Sequence, residues 1–152
     1  GTHVDLLEGG EIDGAVYAYN KGKFTLNGGS VSGRAFAHDN CKMFMKKGSI
    51  TYPDGDIFFA YESSLIEFHG SDFWVDGTLV GYGESLRDYG VYNGTFYTGF
   101  LTGTLIDGSS ISGDFFIYSQ ADMTVIPEPA ALSLLSLGGI SLLLHRGRKN
   151  TG

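Results

Sequence analysis

Asp5-Leu-Leu-Glu-Gly-Gly-Glu-Ile-Asp-Gly14 recurs nineteen residues on as Phe24-Thr-Leu-Asn-Gly-Gly-Ser-Val-Ser-Gly33, and nineteen further on as Met43-Phe-Met-Lys-Lys-Gly-Ser-Ile-Thr-Tyr52. A fourth, weaker copy is Ile66-Glu-Phe-His-Gly-Ser-Asp-Phe73. Repetition at about twenty residues marks a solenoid, whose units are too small to bury an apolar face alone and do so on their neighbours. Within one copy the apolar residues alternate (Phe24, Leu26), and a Gly-Gly corner follows. Val31 then marks a second short strand, and Arg34-Ala-Phe-Ala37 a third before the polar turn His38-Asp-Asn40. Short period-2 strands joined by Gly and Asx corners describe one coil of a parallel β-helix. Leucine-rich repeats need a Leu-x-x-Leu-x-Leu ladder that this chain lacks. Helical repeats do not suit 24 glycines in 152 residues, because each interior glycine costs a helix about 1 kcal/mol.

The expected fold is therefore all-β: a right-handed parallel β-helix of about 19–22 residues per coil, with three to four coils over residues 4 to about 75. Gly10, Gly29 and Gly48 should stack in one column at a spacing of about 4.8 Å. The columns Ile12, Val31, Ile50 and Ala18, Ala37, Ala60 should point inward, and the turn column Asn20, Asp39, Glu62 should be solvated. Beyond Phe73 the register degrades and aromatics accumulate, as in the atypical terminal units that close a solenoid. Leu101–Gly108 and Ser110–Tyr118 read as closing strands, and Ala121–Ile126 as a last strand. The runner-up is an antiparallel β-sandwich, which the C-terminal half would suit equally well.

The other organised stretch lies at the C-terminus. It consists of Pro127-Glu128-Pro129, an uncharged apolar run from Ala130 to Leu144, and a basic patch of Arg146, Arg148 and Lys149. The two prolines remove backbone donors and hold their predecessors away from helical geometry, so the tripeptide should be extended, solvated and accessible. The run is apolar all round a helix, which suits a lipid-facing segment. Fifteen residues at about 1.5 Å each reach roughly 22 Å, so a bilayer core of roughly 30 Å must thin locally or be helped by snorkelling basic side chains. The basic cluster following the run predicts an N-out, C-in topology.

In these residues the chain resembles the PEP-CTERM sorting signal of bacterial exported proteins: Pro-Glu-Pro, a short transmembrane helix, then Arg-rich residues. The resemblance covers residues 127–149; Gly147 interrupts the basic run and Asn-Thr-Gly trails it. It implies export, anchoring in the inner membrane by a single transmembrane helix, and processing near the tripeptide by an exosortase. Release to the cell surface or the extracellular matrix would follow. Residues 1–126 would then be a glycine-rich ectodomain, and the ladder of Gly-Gly coils ending in Leu101-Thr-Gly-Thr-Leu-Ile-Asp-Gly108 loosely resembles ectodomains that precede this tag. The sequence starts with neither Met nor a signal peptide, so an exported chain of this kind is expected to be a fragment or a processed form.

Before Ala130 there are seventeen acidic and seven basic residues, a net charge of −10. An exposed domain this acidic argues against nucleic acid as a partner. The partners expected are an exosortase and the membrane, with extracellular polysaccharide as a further candidate. Cys41 is a lone cysteine and reads as a small buried hydrophobe.

Parallel β-helices include polysaccharide lyases and glycosidases, so the close carboxylate pairs Asp54/Asp56, Asp72/Asp76 and Glu84/Asp88 are the catalytic candidates to weigh. A glycosidase needs its carboxyl groups about 5–9.5 Å apart in a groove, one of them in an apolar setting. The bland reading, solvated carboxylates of an acidic domain, is preferred for all three. Tyr52-Pro-Asp-Gly-Asp56 reads as a turn, with calcium at its two aspartates as the sharper alternative. His3, His38, His69 and His145 share no ligand spacing, and the glycines are turn glycines. The expectation is a non-catalytic surface or matrix protein without a metal or cofactor. The alternative is a surface carbohydrate-binding module or polysaccharide-active enzyme, in which exposed aromatics stack on sugar faces.

Overall fold

A computed structural model of the chain describes residues 1–118 and 120–127, and over that range the protein is an all-β solenoid of about three turns. The first coil is β1 (His3–Leu7), β2 (Glu11–Asp13) and β3 (Val16–Ala18). The second is β4 (Lys23–Ser32) and β5 (Ala35–Ala37), and the third β6 (Lys42–Thr51) and β7 (Asp56–Ala60). β8 (Leu65–Val75) starts a fourth. Each element stacks in parallel on its counterpart in the next coil: β1 on β4, β4 on β6 and β6 on β8 along one face, β3 on β5 and β5 on β7 along another.

The glycine column stacks as the repeat requires. A Cβ built on Gly29 would come within 2.7 Å of the Gly10 carbonyl oxygen, and one on Gly48 within 2.2 Å of the Gly29 oxygen, so no side chain fits between the coils there. Val31, Ile50, Ala18, Ala37 and Ala60 are buried, while Ile12 is half-buried. Asn20 and Glu62 are exposed and Asp39 half-buried. These turn residues have left-handed backbones, Asn20 (φ 52) with Lys21 (φ 62), Asp39 (φ 49) with Asn40 (φ 59), and Glu62 (φ 60). Each turn closes with an i+3 hydrogen bond: Gly22 N–H to Tyr19 O, Cys41 N–H to His38 O and Ser64 N–H to Tyr61 O. Cys41 is buried and free.

Two features differ from the sequence reading. β1 pairs one residue out of the nineteen-residue register, Val4 with Phe24 and Leu6 with Leu26, and a bulge at Leu7 restores it. The slip puts Val4 and Leu6 in line with the buried Phe24 and Leu26 and keeps Asp5 out of that column. The third coil is also longer than the 19–22 residues expected, since Lys42 pairs with Leu65, twenty-three positions on. The extra length falls at the predicted turn, where Gly55 (φ 82) donates its N–H to Tyr52 O.

The C-terminal half does more than cap. After β8 the chain leaves the stack through β9 (Thr78–Leu79), a 3-10 turn (Leu86–Asp88), β10 (Val91–Tyr92) and the hairpin of β11 (Phe96–Leu105) and β12 (Ser110–Tyr118). β11 runs antiparallel to both β8 and β12, but β12 lies parallel on β7, so the solenoid resumes there. A fourth turn, with Ala121 N–H donating to Tyr118 O, leads into β13 (Asp122–Pro127), parallel on the first half of β8. The core columns thus run Phe24, Met43, Ile66, Met123 and Leu26, Met45, Phe68, Val125, all buried. Among the described residues no helix is long and apolar enough to cross a membrane; the expected span Ala130–Leu144 lies outside them.

Candidate functional site

Where β3, β5, β7 and β12 stack, residues flanking the inward Ala column point outward and are aromatic in every coil. Tyr17, Phe36, Phe59 and Phe116 form one ladder, with successive ring centroids 4.7, 4.8 and 4.7 Å apart and planes within 21°. Two residues along, Tyr19, His38 and Tyr61 form a second, at 4.8 and 4.6 Å. At the C-terminal end, Phe96 of β11 meets Phe116 and Tyr61 edge-on, at 81° and 80°. The physical cause is the solenoid pitch. A parallel strand spacing of about 4.8 Å lies inside the 4.5–7 Å range at which aromatic pairs attract.

This geometry limits what the ladder can bind. Each internal ring has both faces covered by neighbouring rings, so it offers solvent only its edge. A pyranose stacks through a ring face, and the internal rings have none free. Arg34 packs beside the ladder, its guanidinium 4.3 Å from the Tyr52 ring centroid and its Nε donating to the Asp56 carbonyl oxygen at 3.1 Å.

Of the sequence-adjacent carboxylate pairs, five members are exposed and Asp56 is half-buried. Asp72 (φ 55) and Asp76 (φ 47) are exposed left-handed residues, and Asp76 accepts the Phe100 N–H at 3.2 Å. Glu84 is bound by the Tyr89 hydroxyl, and Asp88 is exposed at the end of the 3-10 turn. Asp54 is exposed in its turn. The pairing the fold does create is between coils: Asp56 with Asp114, opposite each other in β7 and β12. Burial, then the Asp56 charge, then Asp76, hold the Asp114 carboxyl above the usual range. On the β8 face His69 Nε2 lies 3.2 Å from Glu67 Oε1, and burial pushes its imidazole pKa down against the Glu67 charge. Among the described residues no group of three or more His, Cys, Asp or Glu is placed to hold a metal ion.

Concavities among the described residues also mark the coils. A shallow cleft of about 300 Å³ is floored by Gly10, Gly29 and Gly48 and closed by Asp107. Burial pushes the Asp107 pKa up, but the N–H bonds it accepts from Gly48 and Ser109 at 3.0 Å each outweigh that and hold it down. An apolar hollow of about 420 Å³ at the first coil is lined by Val4, Ile12, Val16 and Phe24.

Of the sorting residues, Pro127 alone lies within the described range. It is the final position of β13, half-buried and opposite Gly70, so it is extended as expected but less solvated. Glu128, Pro129, Arg146, Arg148 and Lys149 lie outside that range. The aromatic ladders were missed in the sequence, although their signal is there: Val16-Tyr-Ala-Tyr19, Ala35-Phe-Ala-His38, Phe58-Phe-Ala-Tyr61 and Phe115-Phe-Ile-Tyr118 are one motif four times. No protein-family model matches the chain, and neither a curated protein nor a solved structure matches it.

Proposed function

We propose that the chain is an exported, exosortase-processed cell-surface or extracellular-matrix protein with no catalytic role, whose β-solenoid is a rigid presenting module. In this reading the coils wind right-handed, as about 98% of parallel strand crossovers do. The observation that carries it is the ordered tail of Pro127-Glu128-Pro129, apolar Ala130–Leu144 and basic Arg146, Arg148 and Lys149. The juncture is consistent with it: Pro127, the first residue of the tripeptide, is extended and paired with Gly70 at the edge of the folded domain. A transmembrane helix would follow at once, N-out and C-in, with an exosortase and the membrane as partners. The acidic domain makes nucleic acid a poor one.

A non-catalytic role is supported by the use of carboxylates as turn formers and backbone acceptors. Asp76 and Asp107 both bind N–H groups of their own fold.

The test fuses the chain to a Sec signal peptide and expresses it with and without an exosortase. Replacing Pro127 and Pro129 by Ala should block processing while leaving membrane insertion unchanged, because no apolar residue is lost. Deleting Ala130 to Leu144 should release uncut protein to the periplasm. Identical product size and membrane fraction for the Ala variant and the parent in both hosts would reduce the tripeptide to a linker.

A further inference from the structure

The cap carries aromatics of a different kind from the ladder. In the three strands β9, β8 and β11, Leu79 pairs with Trp74 and Trp74 with Thr102; Thr102 in turn pairs with Ser112 of β12. Paired residues share a face, so these four form one outward row, about 14 Å long at roughly 4.8 Å per strand. Phe100 stands two residues along β11 from Thr102, on the same side and opposite Asp114. Trp74 is 41% and Phe100 43% exposed, and among the described residues neither has another ring packed on it. Both keep exposed surface without a stacked ring, whereas the internal ladder rings have a ring on each face.

We infer that this row is a binding site for a neutral polysaccharide, stacked on Trp74 and Phe100 and hydrogen-bonded by Thr102, Ser112 and Asp114. The C–H side of a pyranose carries the partial positive charge that an aromatic face attracts. Hydroxyls and a carboxylate beside the rings match the sugar's own hydroxyls, which both donate and accept. Charge narrows the class: Asp76 and Asp114 flank Phe100 in a strongly acidic domain, which repels uronate polymers and anionic lipid surfaces. Size argues against a protein partner. Trp74, Leu79 and Phe100 together expose roughly 300 Å², reckoned from the 150–250 Å² of an aromatic side chain, against about 800 Å² per partner in a stable complex. The row's length fits roughly three pyranose rings. The site does not depend on the sorting reading.

Trp74 is the sole tryptophan of the chain, so intrinsic fluorescence reports on this position alone. The full chain in detergent micelles is titrated with cellohexaose, laminarihexaose and xylohexaose, with an alginate hexamer, and with anionic phospholipid vesicles. The expected result is a saturable change in Trp74 emission with at least one neutral hexamer and none with alginate or vesicles. Phe100→Leu keeps an apolar strand residue but removes the ring face, and should weaken binding at least fivefold. Thr102→Val should weaken it less, and Phe36→Leu in the ladder not at all. Far-ultraviolet circular dichroism verifies that each variant is folded, and Thr102→Val replaces Phe100→Leu as the decisive variant if the latter is not. Absence of a saturable change with all three neutral hexamers overturns the site, as does equal affinity in the folded site variants. A stronger response to alginate or vesicles also overturns it, in favour of a charged or membrane partner.

Discussion

A Cβ added at Gly33 would lie 2.2 Å from the carbonyl oxygen of Gly14 in the preceding coil, whereas one added at Gly77 meets nothing within 4 Å. Gly33→Ala must therefore prise two coils apart and should cost about 3 kcal/mol or more. Gly77→Ala has only its left-handed backbone (φ 84) to strain, at about 1–2 kcal/mol. Urea midpoints rank the two, and equal losses would contradict the stacked column. The turns allow a gain: Lys21 holds φ 62 after Asn20, so Lys21→Gly creates the Asn-Gly pair preferred there and should add about 1 kcal/mol in the same assay. Asp114 supplies a pH test. Its folded carboxyl is raised by burial and by Asp56, so it favours the folded state at low pH, and that advantage is lost as pH rises through the raised folded value. Asp114→Asn should raise the melting temperature at pH 7 by about 2 °C, or about 0.5 kcal/mol after solvent screening, and leave it unchanged at pH 3.

At the scale of elements, the ladder distributes stacking unequally. Phe59 has rings on both sides, Phe36 at 4.8 Å and Phe116 at 4.7 Å, while Tyr17 at the first coil has Phe36 on one side only. Phe59→Ala should cost about 1–2 kcal/mol more than Tyr17→Ala in thermal unfolding, and equal costs would mean that ring stacking contributes little beyond burial. The coils themselves were legible in the sequence, because the Gly10, Gly29, Gly48 column leaves no room for a side chain between coils and the Ala18, Ala37, Ala60 column repeats with it. The slip in β1 was hidden, since glycine spacing fixes the corner while the alternation of Val4 and Leu6 fixes the strand. The return of the solenoid at β12 was hidden by the excursion between Val75 and Ser110, which breaks any fixed period. The Asp56–Asp114 pair and the Trp74–Phe100 face both depend on that return and on the hairpin, so spacing alone could not find them. Their local marks, Phe115-Phe-Ile-Tyr118 and an unstacked Trp74 on an edge-rich sheet, become readable once the coil motif is known.

For the molecule as a whole, the division of labour follows the charge. The acidic coils would repel anionic surfaces, and the three basic residues of the tail are separated from Arg87 by a long stretch with no lysine or arginine. Pro127 is paired with Gly70 in β13, so a processing enzyme would meet the first residue of the tripeptide at the folded domain. The decisive measurement is the intact mass of the product recovered from an exosortase-bearing host and from the same host lacking that enzyme, each expressing the chain behind a Sec signal peptide. The sorting account predicts a species ending at or near Pro127–Pro129, without the apolar run, in the first host only, and an uncut membrane-bound chain ending at Gly152 in the second. Full-length protein with Gly152 intact in both hosts would contradict it.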